Sequence, residues 1–185
     1  MITVSGPVPN ESTVFAVLRS ALLPYVPAGI DMIRGQVNRV PEPSGPDFLV
    51  FWPTSRTNLE TPIQSYHDGY YDDPPTPGVT TVYQPAELMV QIDVHGPASG
   101  DNVAILSALS RSLVLAESMT AITEDVAVLY ASEARQNPFE NAESQTEWMW
   151  SIDFHLQVNA TITLAQDYFD QAEAGIFNVD VEYPP

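Results

Sequence analysis

The stretch QPAELMVQIDVHGPASGDNVAILSALSRSL, residues Gln84–Leu113, decides the fold of this chain. Its first part alternates apolar with polar residues, which is the pattern of a β-strand with one buried face. The polar positions of that strand include Gln91, Asp93 and His95. Gly96 and Pro97 stop the strand, and the apolar residues that follow have helical spacing. We therefore predict a strand, a corner and a helix in one unit that ends at Leu115.

The same corner supplies the start of the predicted helix. Ser99, Asp101 or Asn102 is suited to cap its first turn, because each side chain can accept a hydrogen bond from a free backbone N–H group. The apolar side of the helix is predicted to comprise Val103, Leu106, Leu109 and Leu113.

The helical spacing of apolar residues and the alternation typical of strands also predict the remaining elements. A stripe of apolar residues predicts a first helix from about Ser12 to Leu23, capped by Asn10 or Ser12 and ended by Pro24. Strands are predicted at Ile30–Arg34, Phe48–Trp52, Val79–Val94 with Pro85 as a candidate break, Val126–Tyr130, Glu147–Leu164 and, at an edge, Ile176–Val181. We expect an α+β fold: a mixed, mainly antiparallel sheet with two main helices packed on it, plus extended proline-rich loops and arms.

A length of 185 residues predicts one domain. We expect an N-terminal arm at residues 1–11, the domain at 12–181 and a short C-terminal tail at 182–185. Residues 56–78 show little periodicity and many turn formers, so they are predicted to form a long loop. The tyrosines of this loop are predicted to lie at an interface, because exposed aromatic residues favour such places. They are Tyr66, Tyr70 and Tyr71.

The composition excludes several mechanisms. The chain has 24 Asp and Glu, 6 Arg and no Lys or Cys, with a net charge of -18. P-loop NTPases and Schiff-base enzymes need lysine, and thiol nucleophiles, disulfides and thiolate metal sites need cysteine. The acidic charge repels nucleic acid phosphates and acidic lipid surfaces. With no signal-peptide pattern and no apolar run of about 20 residues, we expect a soluble protein made in the cytoplasm.

One arrangement of polar residues has the chemistry of a metal site. Asp93 and His95 are echoed by Asp153 and His155, and each pair lies on one face of its predicted strand. Adjacent strands would bring two Asp and two His together, a set that can hold a divalent metal and activate water. The simpler interpretation is a sheet with one polar face, which shows the same alternation without chemistry.

The arginines are candidates for interfaces. Arg34 and Arg39 flank one predicted turn and Arg135 opens another. A guanidinium group forms paired hydrogen bonds with carboxylates, and such pairs are common between subunits. Pairing within the monomer is the alternative, and the sequence leaves both open.

Four stretches of the chain resemble the phage neck (tail) terminator family, a family of virion proteins of tailed bacteriophages. The stretches are RGQVNRVPEPSGPDFLVFWPTSR (residues 34–56), QPAELMVQIDVHGPASGDNVAILSALSRS (84–112), LYASEARQNPFENAESQTEWMWSIDFHLQVN (129–159) and IFNVDV (176–181). They occur in the right order across residues 12–181. Residues 1–9 and 66–78 depart from the family pattern.

The resemblance implies a structural role without catalysis. Members form a ring, typically of six copies, that caps the tail tube, ends tail polymerisation and joins the tail to the neck. The implied partners are further copies of the chain, the tail tube protein, the neck connector and, in a contractile tail, the sheath protein. DNA would pass through the lumen without specific binding, and no membrane is involved. The implied location is the tail–neck junction of the virion, after assembly in the bacterial cytoplasm.

The resemblance carries over no catalytic, cofactor-binding or metal-binding residue. Two other functions stay open at this point. One is another head–tail connector or a minor tail protein. The more distant one is a metal-dependent hydrolase that uses the pairs Asp93/His95 and Asp153/His155.

Overall fold

A computed structural model of the chain describes residues 5–35, 43–69, 72, 76–137, 139–140 and 146–166. Within these residues the helices are α1 (Glu11–Leu22), α2 (Ser99–Ser110) and α3 (Leu113–Thr120), with a 3-10 turn at Leu23–Tyr25. The strands are β1 (Asp31–Arg34), β2 (Phe48–Asn58), β3 (Ile63–His67), β4 (Gly78–His95), β5 (Val126–Ala131), β6 (Arg135–Gln136), β7 (Phe139–Glu140), β8 (Thr146–Glu147) and β9 (Met149–Gln166). The α+β fold class is confirmed.

One mixed sheet organises the fold. Its main strand order is β1-β2-β4-β9-β5; β3 pairs with β4, and β6 pairs with β9. The pairing of β1 with β2 is parallel, and the other pairings in this sheet are antiparallel. The two longest strands lie side by side along their whole length, from the pair Gly78 and Gln166 to the pair His95 and Met149. Strands β2, β3, β5 and β6 each pair with β4 or β9, while β7 and β8 form a separate two-stranded sheet.

Strand β4 passes through Pro85 without a break, so the candidate break at this proline is wrong. Strand β2 pairs with β4 as far as Ala86, and β3 pairs with it from Tyr83 onward, so Pro85 lies opposite the junction of β2 and β3. Its carbonyl oxygen accepts a hydrogen bond from Leu59 on that side. Because the N and C=O of one strand residue point the same way, the missing N–H group of the proline also faces the junction, where no ladder hydrogen bond is lost.

The core lies between one face of the sheet and the three helices. Alternate residues of the strands are buried there, as the period of two predicts. The fully buried ones on the central strands are Ile92, Val94, Ile152, Phe154 and Leu156. Helix α1 begins at the cap Asn10, whose Oδ1 accepts a hydrogen bond of 2.9 Å from the Thr13 N–H group. The helix ends before Pro24, as predicted.

The second helical region differs from its prediction at both ends. Its N-cap is Ala98, so none of the three predicted side chains caps it; the carboxylate of Asp47 accepts from the Ala98 N–H group at 2.9 Å instead. At the other end the helix stops, and Ser112 caps the separate helix α3. Leu113 is 78% exposed and does not belong to the apolar side. The structure thus has α2 and α3 where one helix was predicted.

The predicted loop at 56–78 also needs correction. Strand β2 continues to Asn58, and β3 occupies Ile63–His67. The short strand shows no alternation of burial, since all five residues are exposed, and it is held by its pairing with β4. The predicted edge strand Ile176–Val181 lies outside the described residues.

The sheet continues past the core at one end. There Gly78–Gln84 of β4 and Ala160–Gln166 of β9 run on together, with β3 along one side. On the other side the N-terminal segment joins β9, because Ser5 and Val8 donate backbone hydrogen bonds to the carbonyls of Thr163 and Thr161. We call this part the extension. The long strand β9 therefore continues past the core as part of a multi-stranded sheet.

In the part of the chain that the structure describes, no single helix is long and apolar enough to cross a membrane. The bent pair of α2 and α3 reaches the required length and composition only when the two helices are taken together.

Candidate interaction surface

The face of the sheet that points away from the helices carries the polar residues of the sequence motifs. We call it the open face. Since successive side chains of a strand alternate between faces, the burial of Ile92 and Ile152 in the core places Asp93, His95, Asp153 and His155 on the open face. All four predicted residues therefore share one surface.

Asp93 is the centre of a hydrogen-bonded chain. It is only 8% exposed, and its Oδ1 accepts from Gln91 Nε2 at 2.8 Å and from Ser151 Oγ at 2.5 Å. The fully buried Ser151 hydroxyl in turn accepts from Asn137 Nδ2 at 2.8 Å. A buried carboxylate that accepts two hydrogen bonds is satisfied by its own strands. Asp93 therefore joins β4 to β9 and to the segment after β6.

Asp153 is bonded to the segment that follows β5. Its Oδ2 lies 3.0 Å from Arg135 Nη2, and its backbone N–H group donates to Ser132 Oγ at 3.0 Å. The aspartate side chain is 10% exposed and the arginine side chain 53%. Arg135 thus forms an ion pair within the chain, one of the two arrangements that the sequence left open, and half of its side chain still faces outward.

The two histidines stack on aromatic rings. His155 stacks on Tyr130 with ring centroids 4.1 Å apart, and its Nδ1 lies 2.6 Å from Glu87 Oε1. His95 stacks on Phe48 at 4.5 Å with the rings 4° from parallel. Stacked rings of this kind fix side chains against the sheet and give the open face apolar area beside its charges.

The register of β4 and β9 does not assemble the predicted metal cluster. Asp93 lies opposite Ser151, so the two aspartates are diagonal neighbours; His95, however, lies opposite Met149, and His155 is six positions further along β9. At about 3.3 Å per residue, the two imidazoles are about 20 Å apart. In the described ranges, no group of three or more His, Asp or Glu side chains is placed to hold a metal ion. The four residues therefore do not lie close enough together to form the predicted metal site.

The remaining predicted interface residues are placed as follows. Arg34, on β1, pairs with the Glu11 carboxylate and donates to Ser12 Oγ at 3.0 Å, which joins the sheet to the start of α1. Tyr66 lies on β3 and is 57% exposed. Arg39, Tyr70 and Tyr71 lie outside the described residues, so their interface role stays a prediction.

The open face carries a shallow depression among the described side chains that line it. Its depression is open and has a volume of about 380 Å³, with Trp52, Pro53, Thr54, Gln91 and Asp93 around it. A cleft that holds a small substrate normally encloses most of it. The shape of this depression suits contact with another surface.

Two carboxyl groups have a lowered pKa, namely Asp31 at the start of β1 and Asp72 in the loop after β3. The pKa of Asp31 is held below its ordinary value by the backbone N–H of Ser44 and then by the Ser44 hydroxyl, at 2.6 and 2.7 Å. The hydroxyl of Thr76 and then the His67 ring lower the pKa of Asp72. Both carboxylates act as anchors for loops, because the hydrogen bonds favour the charged form.

Sequence reasoning missed the partners of the motif residues. Ser151, Glu87 and Tyr130 each contact one of the four predicted side chains, and Asn137 contacts Ser151, yet none stood out by spacing or type. Only the register of β9 with β4 and β5 and the course of the segment after β6 bring them together, and register depends on the whole sheet. A polar residue between Trp150 and Ile152 was the one local signal for Ser151.

The chain is similar to a known protein family. A model of a protein family described as phage neck terminator protein matches residues 12–180, which include the three helices and all nine strands of the described part except the first residue of α1. A search of curated proteins found no match.

Proposed function

Because the chain belongs to the phage neck terminator family, we propose that it forms a ring that caps the tail tube and ends tail polymerisation. Membership gives the chain a structural role in the phage tail and neck, and a place at the tail–neck junction of the virion. It also implies contacts with other tail and neck proteins. The ring, typically of six copies, and the capping step are our proposal.

The observation that carries the proposal is the length of the match. It covers residues 12–180, so it takes in the core, the open face and the extension together. We take residues 12–181 as the body of the ring subunit, with 1–11 and 182–185 as its arms. A match confined to one motif would support only a shared element.

The mechanism that we propose is steric. Once the ring occupies the end of the tube, no surface remains for the next tube subunit. The open face supports this interpretation, since its two aspartates are bonded to their own chain at 2.5–3.0 Å and are thereby committed to holding strands together. We propose no bond chemistry and no cofactor.

The proposed partners follow from the place in the virion. They are further copies of the chain, the tail tube protein, the neck connector and, if the tail contracts, the sheath protein. A net charge of -18 supports a lumen through which DNA slides, since like charges disfavour contact with phosphate. Assembly would take place in the cytoplasm of the host bacterium.

The arginines keep their proposed role at interfaces. Arg34 and Arg135 each pair within the chain, yet 28% and 53% of their side chains remain exposed. A guanidinium group has five N–H donors, so one carboxylate does not exhaust it. We propose that the remaining donors, with those of Arg39, face carboxylates of a neighbouring subunit, and that Tyr66, Tyr70 and Tyr71 contribute apolar area.

A phage that lacks this gene tests the function. We expect electron microscopy to show tails of uncontrolled length, or tails that fail to join heads, and the wild-type gene supplied in trans to restore both. Tails of normal length beside unjoined heads would favour the other candidate, a head–tail connector. Intact virions in normal numbers would contradict both functions.

A further inference from the structure

The extension differs in charge from the rest of the chain. Its segments, residues 5–9, 61–67, 78–84 and 160–166, contain no Asp, Glu or Arg, in a chain that has 24 acidic residues and 6 arginines. Threonine, valine, tyrosine and glutamine fill them instead. Every strand of the extension is therefore neutral apart from the titratable ring of His67, while the remainder of the molecule is strongly acidic.

Strand β3 forms one margin of the extension and presents an exposed edge. It pairs with β4 on one side, and none of the strands in the described residues pairs with its other side. Ile63 is 56% exposed and Tyr66 57%, so the edge carries apolar area as well as free backbone groups. Such an edge can pair with another strand.

The other strands at the margins of the described sheet are protected against such pairing. Strand β1 carries Asp31 and Arg34, and β6 carries Arg135. Strand β5 is uncharged but has an irregular register between Val128 and Tyr130. Charges and bulges are the usual means by which proteins prevent edge pairing. Within the described residues, β3 has neither.

We propose that a second copy of this chain docks on the edge of β3 by adding an extended segment of its own to that edge. The inference rests on the proposed ring and names the surface through which its subunits meet. Two copies that each carry a net charge of -18 repel one another, and the repulsion is smallest along an uncharged strand such as residues 63–66 of β3. Asp72, near the end of β3, is bonded to the ring of His67. A basic partner would be drawn to the acidic surfaces instead, so the neutral edge suits a like-charged copy.

Adding one negative charge to the edge tests the proposal. Gln64 lies in the middle of β3 and is exposed, and Gln64→Glu preserves its shape. The matched control is Ser20→Asp, which adds one negative charge to an exposed residue of α1. In sedimentation of the full chain, we expect Gln64→Glu to raise the concentration needed for association about tenfold or more, which corresponds to about 1.4 kcal/mol per contact. The control should associate like the wild type.

A cysteine probe tests the same contact without changing charge. The natural chain has no cysteine, so Gln64→Cys introduces a single thiol. We expect its modification by a thiol reagent to be at least about tenfold slower in the assembled protein than in the dissociated protein. Ser20→Cys, on the exposed side of α1, should react at the same rate in both.

The possible outcomes distinguish a failure of the β3 contact from a failure of the proposed ring. If the wild type assembles, but Gln64→Glu assembles equally well and the thiol at position 64 stays reactive, the edge of β3 is not the contact and the ring proposal stands. If the thiol is protected only by added tail tubes while the subunits stay unassociated, the partner is the tube protein and the inference is wrong. A wild type that stays monomeric with and without tubes would contradict the ring itself.

Discussion

The hydroxyl of Ser151 donates a 2.5 Å hydrogen bond to Asp93 across the central strands β4 and β9. Asp93 is one of the four residues that first suggested a metal site, and this contact gives it a different role. Its carboxylate lies beneath the surface and joins the strands on which the whole sheet is built.

Replacing the donor should weaken the fold. Ser151→Ala leaves Asp93 with one donor fewer and Asn137 without its acceptor, so we expect the free energy of unfolding to fall by about 1–3 kcal/mol. Chemical denaturation measures the change. Ser20→Ala, at an exposed position of α1, should stay within about 0.5 kcal/mol of the wild type. Equal effects of the two variants would show that the buried contact is not stabilising.

The ion pairs of two arginines should differ in strength. Arg135→Gln removes the partner of the nearly buried Asp153, and we expect a loss of about 1–3 kcal/mol in the free energy of unfolding. Arg111 pairs with Glu133 at 2.8 Å, but both side chains are largely exposed. Arg111→Gln should therefore change stability by about 1 kcal/mol at most. Thermal unfolding of both variants compares them, and a larger loss for Arg111→Gln would contradict this ranking.

Three glycines allow strain and overlap to be separated. Gly96 has φ +103°, and a Cβ atom there would overlap the carbonyl oxygen of Pro46; Gly29 has φ +88° with open space around it. We expect Gly29→Ala to cost about 1 kcal/mol from strain and Gly96→Ala about 2 kcal/mol or more, since overlap is added. Gly45→Ala, with open space and no left-handed φ, is the control and should be nearly neutral. Denaturation midpoints that fail to follow this order would refute the account.

The loop that Asp31 anchors should loosen in acid. The folded pKa lies below the ordinary value of 3.8 because the Ser44 N–H and hydroxyl favour the charged form. Stability from these bonds is therefore fully present above about pH 3.8 and is lost as pH falls through the folded pKa. Nuclear magnetic resonance should show the Ser44 amide shift with the same low midpoint, and Asp31→Asn should abolish the transition. A midpoint at or above 3.8 would be inconsistent with the geometry.

Arginine substitutions should distinguish association from folding. We expect Arg39→Glu to weaken subunit association more than monomer stability, because we propose that its predicted turn lies at an interface. Arg34→Glu should reduce both, since Arg34 also pairs with Glu11 inside the chain. Sedimentation and thermal unfolding of the two variants give the comparison. If Arg39→Glu assembles normally but unfolds more easily, its interface role is wrong.

The sequence predicted the elements that have a strong local period. Helix α1 and strand β9 begin and end within a few residues of their predicted limits, because their apolar residues face one core. Strand β3 was missed, since all its residues are exposed and only β4 holds it. The break before Leu113 was also missed, because an apolar residue at helical spacing looked buried and is 78% exposed.

The candidate site was predicted in part. The alternation of apolar and polar residues correctly placed Asp93 and Asp153 on one face of the sheet, because it depends only on successive residues of one strand. Which residue lies opposite each of them depends on the register of strands that are far apart in the chain. That information is absent from either motif alone, so the contact between Ser151 and Asp93 emerged only from the fold.

The extension also has a consequence for the order of events during synthesis. Ser5 bonds to Thr163, 158 positions later in the chain, so this segment leaves the ribosome long before the strand with which it pairs. Before β9 emerges, the extension can contain only the pairing of β3 with β4, since β2 pairs with β4 no further than Ala86. Two paired strands are by themselves marginally stable in water. A nascent chain therefore lacks the finished edge on which we propose that copies meet. Neighbouring chains on one messenger RNA would therefore not associate through this edge until β9 of each chain has been made.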